Sequence, residues 1–111
     1  MKLAVIGSRT FKNYNLMETE LDKIEGVTEI VSGGAIGADR LSEKYAKSKN
    51  HELTIFYPEH KKYKHPYHHR NRLIAEYCDK LIAFWNGHSS GTKYTINYAK
   101  RIGKDVIVVK V

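Results

Sequence analysis

Three short turns of this 111-residue chain gather the residue types that recognise phosphates and sugar hydroxyls. The first is Gly7-Ser8-Arg9. A glycine allows close backbone approach, a serine hydroxyl can donate a hydrogen bond, and an arginine can fork onto phosphate or carboxylate oxygens. Taken alone, it reads equally well as a plain loop with a solvated arginine. The second turn is Gly33-Gly34-Ala35-Ile36-Gly37-Ala38-Asp39. Gly33, Gly34 and Gly37 let backbone N–H groups face an anion at a helix start, where the helix dipole adds partial positive charge. Asp39 falls in the first turn of that helix, where an acid is favourable by roughly a few tenths to 1 kcal/mol. A phosphate site does not otherwise need an acid there, which points to an acceptor for ribose hydroxyls or a general base. The third turn runs from Trp85 to Thr92. Gly87, Ser89, Gly91 and Thr92 make a second candidate anion cradle, with two hydroxyl donors; capping of the following helix by Ser90 or Thr92 is the plain alternative.

Other phosphate-binding patterns fit less well. Ser32 stands where a dinucleotide fingerprint has its first glycine, and the motif follows the second strand rather than the first, so ordinary NAD binding is disfavoured. No Walker lysine follows either glycine turn, so a P-loop nucleoside triphosphatase is disfavoured. His65, His68 and His69 lack a matched carboxylate or cysteine at metal-binding spacing and read as surface histidines. The sequence thus implies no metal and no cofactor.

These turns need elements to hold them. Lys2 to Gly7 reads as a buried strand, and Met17, Leu21 and Ile24 recur at helical spacing up to Gly26. A second strand covers residues 28–32, and a second helix Ile36 to Ser48 with Ala38, Leu41 and Tyr45 on its inner face. Glu52 to Tyr57 is a third strand, Tyr67 to Tyr77 a third helix and Lys80 to Asn86 a fourth strand. A fourth helix follows and ends near Gly103, and Asp105 to Val111 is the last strand. Such alternation predicts an α/β fold: a three-layer sandwich with a five-stranded parallel sheet between helices. Right-handed crossovers leave few winding orders, and the order 3-2-1-4-5 is favoured. In that order the winding reverses between strands 1 and 4, where ligands sit outside the carboxyl ends of the strands. The three polar turns, after strands 1, 2 and 4, then become neighbours.

The length predicts a single domain over residues 1–111, and a 41% hydrophobic content supplies a core. The apolar runs are too short to cross a bilayer and none is flanked like a signal peptide, so no membrane partner and a cytoplasmic location are expected. Cys78 has no partner for an internal disulfide, and its apolar neighbours Ile74, Tyr77 and Leu81 suggest a buried, inert thiol. The formal net charge of +7 attracts phosphates, whether of free nucleotides or nucleic acid, although surface lysines also serve solubility. The stretch from His60 to Arg72 interleaves cations with aromatic rings, a composition suited to base stacking and phosphate neutralisation. Lys61, Lys62 and Lys64 within it read best as solvated.

Together, Gly7-Ser8-Arg9, residues 33–39, Arg70-Asn71 and the Trp85-to-Thr92 turn resemble the SLOG superfamily, in the same order and over nearly the whole chain. The branch they look like is the small YspA type of bacteria and phages. Relatives include the Lonely Guy phosphoribohydrolases and the DprA DNA-processing proteins. The resemblance implies a Rossmann-like sheet with a nucleotide-type pocket, in which Arg70 clamps a phosphate and Asn71 bonds a base or ribose. Gly91-Thr92 matches the glycine-threonine pair of the Lonely Guy motif, but Tyr94 and Thr95 stand where its glutamates would be. Asp39 or Glu43, one helical turn apart, would have to supply the catalytic carboxylate if N-glycosidic hydrolysis occurs.

Three functions follow as expectations. The first is a protein that senses, sequesters or processes a nucleotide or nucleotide-derived small molecule. The second is a DprA-like module for single-stranded nucleic acid. The third is a scaffold or homo-oligomer whose glycine turns merely close strand–helix packing.

Overall fold

The computed structural model describes all 111 residues. Five strands and four helices alternate: β1 (Lys2–Gly7), α1 (Tyr14–Asp22), β2 (Glu29–Ser32), α2 (Ala38–Ser48), β3 (Glu52–Ile55), α3 (Pro66–Tyr77), β4 (Lys80–Trp85), α4 (Ser90–Arg101) and β5 (Asp105–Lys110). The strands form one parallel sheet in the order β3-β2-β1-β4-β5, as the alternation predicts.

The period-two geometry of a strand sends alternate side chains to opposite faces, so each face needs its own cover. Leu3 and Val5 of β1, with Ile30, Ile82 and Phe84, pack against Met17 and Leu21 of α1 and Ala38, Tyr45 and Ala46 of α2. Ala4 and Ile6, with Val31, Leu81 and Ala83, pack against Ile74 and Ala75 of α3 and Ile96 and Ala99 of α4. Cys78 lies fully buried in this second layer, and burial pushes its thiol above the usual range. No helix is long and apolar enough to cross a membrane.

Most element ends fall within a residue or two of the sequence expectation, and three of the departures have a clear local reason. Helix α1 stops at Asp22 rather than continuing toward Gly26; Lys23 and Ile24 close it with tighter bonds to the carbonyls of Glu20 and Leu21. Helix α2 starts at Ala38, two residues after the expected Ile36, because Gly37 has φ +76°, outside the right-handed helical region. Strand β3 ends at Ile55, short of Tyr57, because its neighbour β2 turns away after Ser32; the last bond there runs from Phe56 N–H to the Ser32 carbonyl.

Candidate functional site

Winding reverses between β1 and β4, so the helices that follow these strands leave the sheet on opposite faces and a crevice opens between their connections. A cavity of about 590 Å³ occupies it, a size typical of small-molecule sites. The β1 turn contributes Gly7, Ser8, Arg9 and Thr10, and α2 with its approach contributes Asp39 and Ala35. Tyr67, His68, Arg70, Asn71 and Ile74 enter from α3, and Asn86, His88, Ser89, Ser90, Gly91, Thr92 and Thr95 from the β4–α4 side.

The β1 turn is stitched to both neighbours. Ser8 N–H donates to the Phe84 carbonyl at 3.0 Å, and the Ser8 hydroxyl accepts from Asn86 N–H at 3.2 Å. The Ser8 carbonyl accepts from Phe11 and Ala38. Ser8 is thus a buried joint between β1, β4 and the start of α2. Arg9, by contrast, is exposed, and its guanidinium lies 5.4 Å from the centre of the Tyr67 ring. The Arg70 guanidinium approaches the same ring at 5.7 Å, so one aromatic side chain is flanked by two cations.

Glycines make the second turn possible by close approach. A Cβ on Gly33 would lie 2.8 Å from Arg70 Nη1 and 2.9 Å from Asp39 Oδ2, so both charged groups close over a residue with no side chain. A Cβ on Gly37 would lie 2.3 Å from the Arg9 carbonyl oxygen, which seats the start of α2 directly on the β1 turn. Gly33, Gly34 and Gly37 therefore shape the site without lining the cavity, and Gly34 sits against Tyr57.

At the start of α2 stands the protein's own carboxylate. Asp39 is 8% exposed, and its Oδ2 accepts from Ala35 N–H at 3.2 Å. Burial pushes its carboxyl up to about 6; Glu43 adds to the rise, while the Ala35 N–H, Arg70 and Arg9 oppose it. Arg70 is buried as well. It donates through Nη1 to the Gly33 carbonyl and through Nε to Asn71 Oδ1 at 2.8 Å, so two of its donor atoms are committed to the protein. Burial lowers its pKa from the usual arginine range, partly offset by Asp39. Glu43 faces elsewhere: it accepts from the Ser32 hydroxyl at 3.1 Å and does not line the cavity.

The third turn is organised by Asn86, whose Oδ1 accepts from the N–H groups of His88 and Ser89. Ser89 caps α4, accepting from Thr92 N–H, and its hydroxyl pairs with that of Thr92 at 2.9 Å. The Trp85 indole N–H donates to the Ser89 carbonyl and braces the turn from the strand side. Gly87 has φ +85° beside Lys110 and lies outside the cavity lining.

Of the residues singled out by sequence, Gly7, Ser8, Arg9, Asp39, Arg70, Asn71, Ser89, Gly91 and Thr92 meet at one cavity. Tyr67, His68, Asn86, Ser90 and Thr95, which the sequence did not single out as site residues, join them. Each stood near a signal: Asn86 and Ser90 lie in the third turn, Tyr67 and His68 in the basic aromatic stretch, and Thr95 at a position where Lonely Guy enzymes carry an acid. No group of three or more His, Cys, Asp or Glu side chains is arranged to hold a metal ion.

Comparison with known families assigns the chain. The model of the YspA, cpYpsA-related SLOG family matches residues 1–63, which include the first two glycine turns and Asp39. The chain belongs to this family. The model of DNA recombination-mediator protein A matches residues 46–111, the half that carries Arg70 and the α4 start. A comparison with curated proteins finds no match. Among solved structures, DNA processing protein A (DprA) from Streptococcus pneumoniae superposes with a TM-score of 0.83 at 23% identity, over 99% of this chain and 50% of that one. A DprA from Helicobacter pylori, described for its single-stranded DNA binding mode, gives a TM-score of 0.76 at 22% identity, over 97% of this chain and 64% of that one. The SLOG domain described here thus shares the DprA fold and spans one half to just under two thirds of those chains.

Proposed function

We propose that the protein binds a nucleotide or a nucleotide-derived phosphate ligand in the cavity beside β1. The observation that carries this reading is the convergence of one buried carboxylate, exposed Arg9, an aromatic ring and the hydroxyl-rich start of α4 on a single cavity of nucleotide-compatible size. The phosphate belongs at the α4 start, where Ser89, Ser90 and Thr92 add hydroxyls to the helix dipole and Arg9 supplies an exposed cation. Asp39 would repel a phosphate once ionised, so it suits the ribose hydroxyls. Tyr67 offers a stacking face for the base, and Asn71 offers its amide. Any turnover falls to Asp39 rather than Glu43, because only Asp39 lines the cavity; N-glycosidic hydrolysis, with Asp39 as general base, is the chemistry its place permits.

Thermal denaturation with AMP, ADP-ribose and cyclic nucleotides tests binding, since a ligand of the native state raises its apparent stability. At least one should raise Tm, and Arg9→Ala should shrink the shift. Chromatography of the recovered ligand separates sensing from processing. A flat response to every nucleotide contradicts the reading.

A second reading, a single-strand binding module, is favoured by the likeness to DprA proteins and by the aromatic side chains of Tyr67 and His68 in the cavity lining, with Arg9 and Arg70 against the Tyr67 ring. Oligonucleotide affinity that falls steeply with salt, without any nucleotide response, would select it.

A further inference from the structure

Both asparagines that line the cavity have their amide oxygens committed to the protein. Asn71 Oδ1 accepts from Arg70 Nε at 2.8 Å, and Asn86 Oδ1 accepts from the N–H groups of His88 and Ser89 at 2.8 and 2.9 Å. These bonds fix which way each amide points. A guanidinium and a backbone N–H only donate, so an amide turned end for end would set donor against donor. Arg70 is itself held, being buried with its Nη1 donating to the Gly33 carbonyl. The end left over is therefore the same in both residues: an NH2 group, which donates and cannot accept.

In Asn71 that polarity falls where it can select a base. Asn71 lies four residues after Tyr67 on α3, on the same helical face, and both line the cavity. The usual pairing of asparagine with adenine uses both ends of the amide, its oxygen for the N6 amine and its NH2 for N7. Asn71 has only the second to offer. An exocyclic amine opposite it would leave two donors facing each other, stripped of water and unpaired, whereas a carbonyl oxygen completes a hydrogen bond. Asp39, the one carboxylate in the lining, stands on α2 and supplies no acceptor from α3.

We propose that Asn71, oriented by Arg70, makes the cavity selective for nucleotides whose base turns a carbonyl oxygen toward α3, as hypoxanthine and uracil can, over those that turn an amine there, as adenine and cytosine do. Asn71 is the specificity residue and Arg70 the residue that positions it. The proposal rests on the nucleotide reading of the cavity and narrows it to a class of base.

The test is a ratio of affinities within matched pairs. IMP and AMP, and UMP and CMP, are titrated calorimetrically into the whole chain at one pH and salt concentration; each pair differs only along the base edge that carries the carbonyl or the amine. The carbonyl member should bind roughly tenfold tighter in a pair that binds. Asn71→Asp keeps one oxygen for Arg70 Nε and replaces the NH2 with a second acceptor. It should invert the ratio in favour of AMP or CMP, and the repulsion its charge adds toward every phosphate cancels within a pair. Asn71→Ala should bring the ratio to about one, and serves in place of Asn71→Asp if the latter does not fold. Equal affinities within the pairs in wild type, or a preference for the amine, overturn the selectivity while leaving nucleotide binding intact. A carbonyl preference that survives unchanged in Asn71→Asp or Asn71→Ala overturns its assignment to Asn71. Absence of binding by all four nucleotides, and by the others named above, overturns the nucleotide reading and this inference with it.

Discussion

Asp39 is the residue whose state most affects the site. Its carboxyl titrates near 6 in the fold instead of near 3.8, because burial disfavours the charged form. The native state therefore holds this proton more tightly than the unfolded chain does. The resulting stabilisation is complete below pH 3.8, declines as the unfolded carboxyl ionises, and is gone once pH passes about 6. Asp39→Asn keeps an oxygen for the Ala35 N–H and removes the titration. Chemical denaturation at pH 4 and pH 7 should show wild type losing about 2–3 kcal/mol relative to this variant over that interval. The same ionisation sharpens any preference for ribose, since a carboxylate is the better acceptor. AMP over dAMP discrimination, measured by calorimetry, should rise through pH 6 and vanish in Asp39→Asn. Arg70 is the partner in this arrangement, with its guanidinium held between the Gly33 carbonyl and Asn71. Arg70→Ala leaves that carbonyl unpaired and Asp39 without its nearby cation. A stability loss of about 2–4 kcal/mol is expected, with Asp39 titrating higher still, as carbon-detected NMR would show.

The turn before α2 governs how two elements meet. Gly37 combines a left-handed φ with a backbone contact to Arg9 that admits no Cβ. Gly37→Ala should cost at least about 2 kcal/mol in denaturation and displace the β1 turn, weakening nucleotide binding even though residue 37 does not line the cavity. Helix α4 depends on a different device. Ser89→Ala removes both the cap on Thr92 N–H and the hydroxyl pair with Thr92. The cap alone is worth about 1 kcal/mol, so a modest drop in Tm should accompany a larger drop in ligand affinity.

For the molecule as a whole, the excess of cations sets how it meets its partners. A net charge of +7 produces a field that attracts any polyanion, so oligonucleotide binding should weaken steeply and log-linearly with salt. Mononucleotide binding in the cavity depends on fewer charges and should have a much shallower slope. Equal slopes for the two, measured by anisotropy and calorimetry, would place both on the same nonspecific surface.

The alternation of apolar strands with helical periodicity was sufficient to order the sheet, since chain chirality and the burial of both sheet faces allow few windings. Glycine-rich turns after β1, β2 and β4 were likewise legible as neighbours, because that strand order places their carboxyl ends side by side. Local spacing could not tell which glycines would line the cavity and which would admit Arg70, Asp39 or the Arg9 backbone, because those neighbours come from distant parts of the chain. Nor could it foresee that Tyr67 and His68 would line the cavity, since α3 meets the β1 and β4 turns only once all are packed on the sheet. The order of elements thus follows from hydrophobic periodicity along the chain. The roles of individual charges and rings follow from long-range packing, which decides what water each one loses and which partner replaces it.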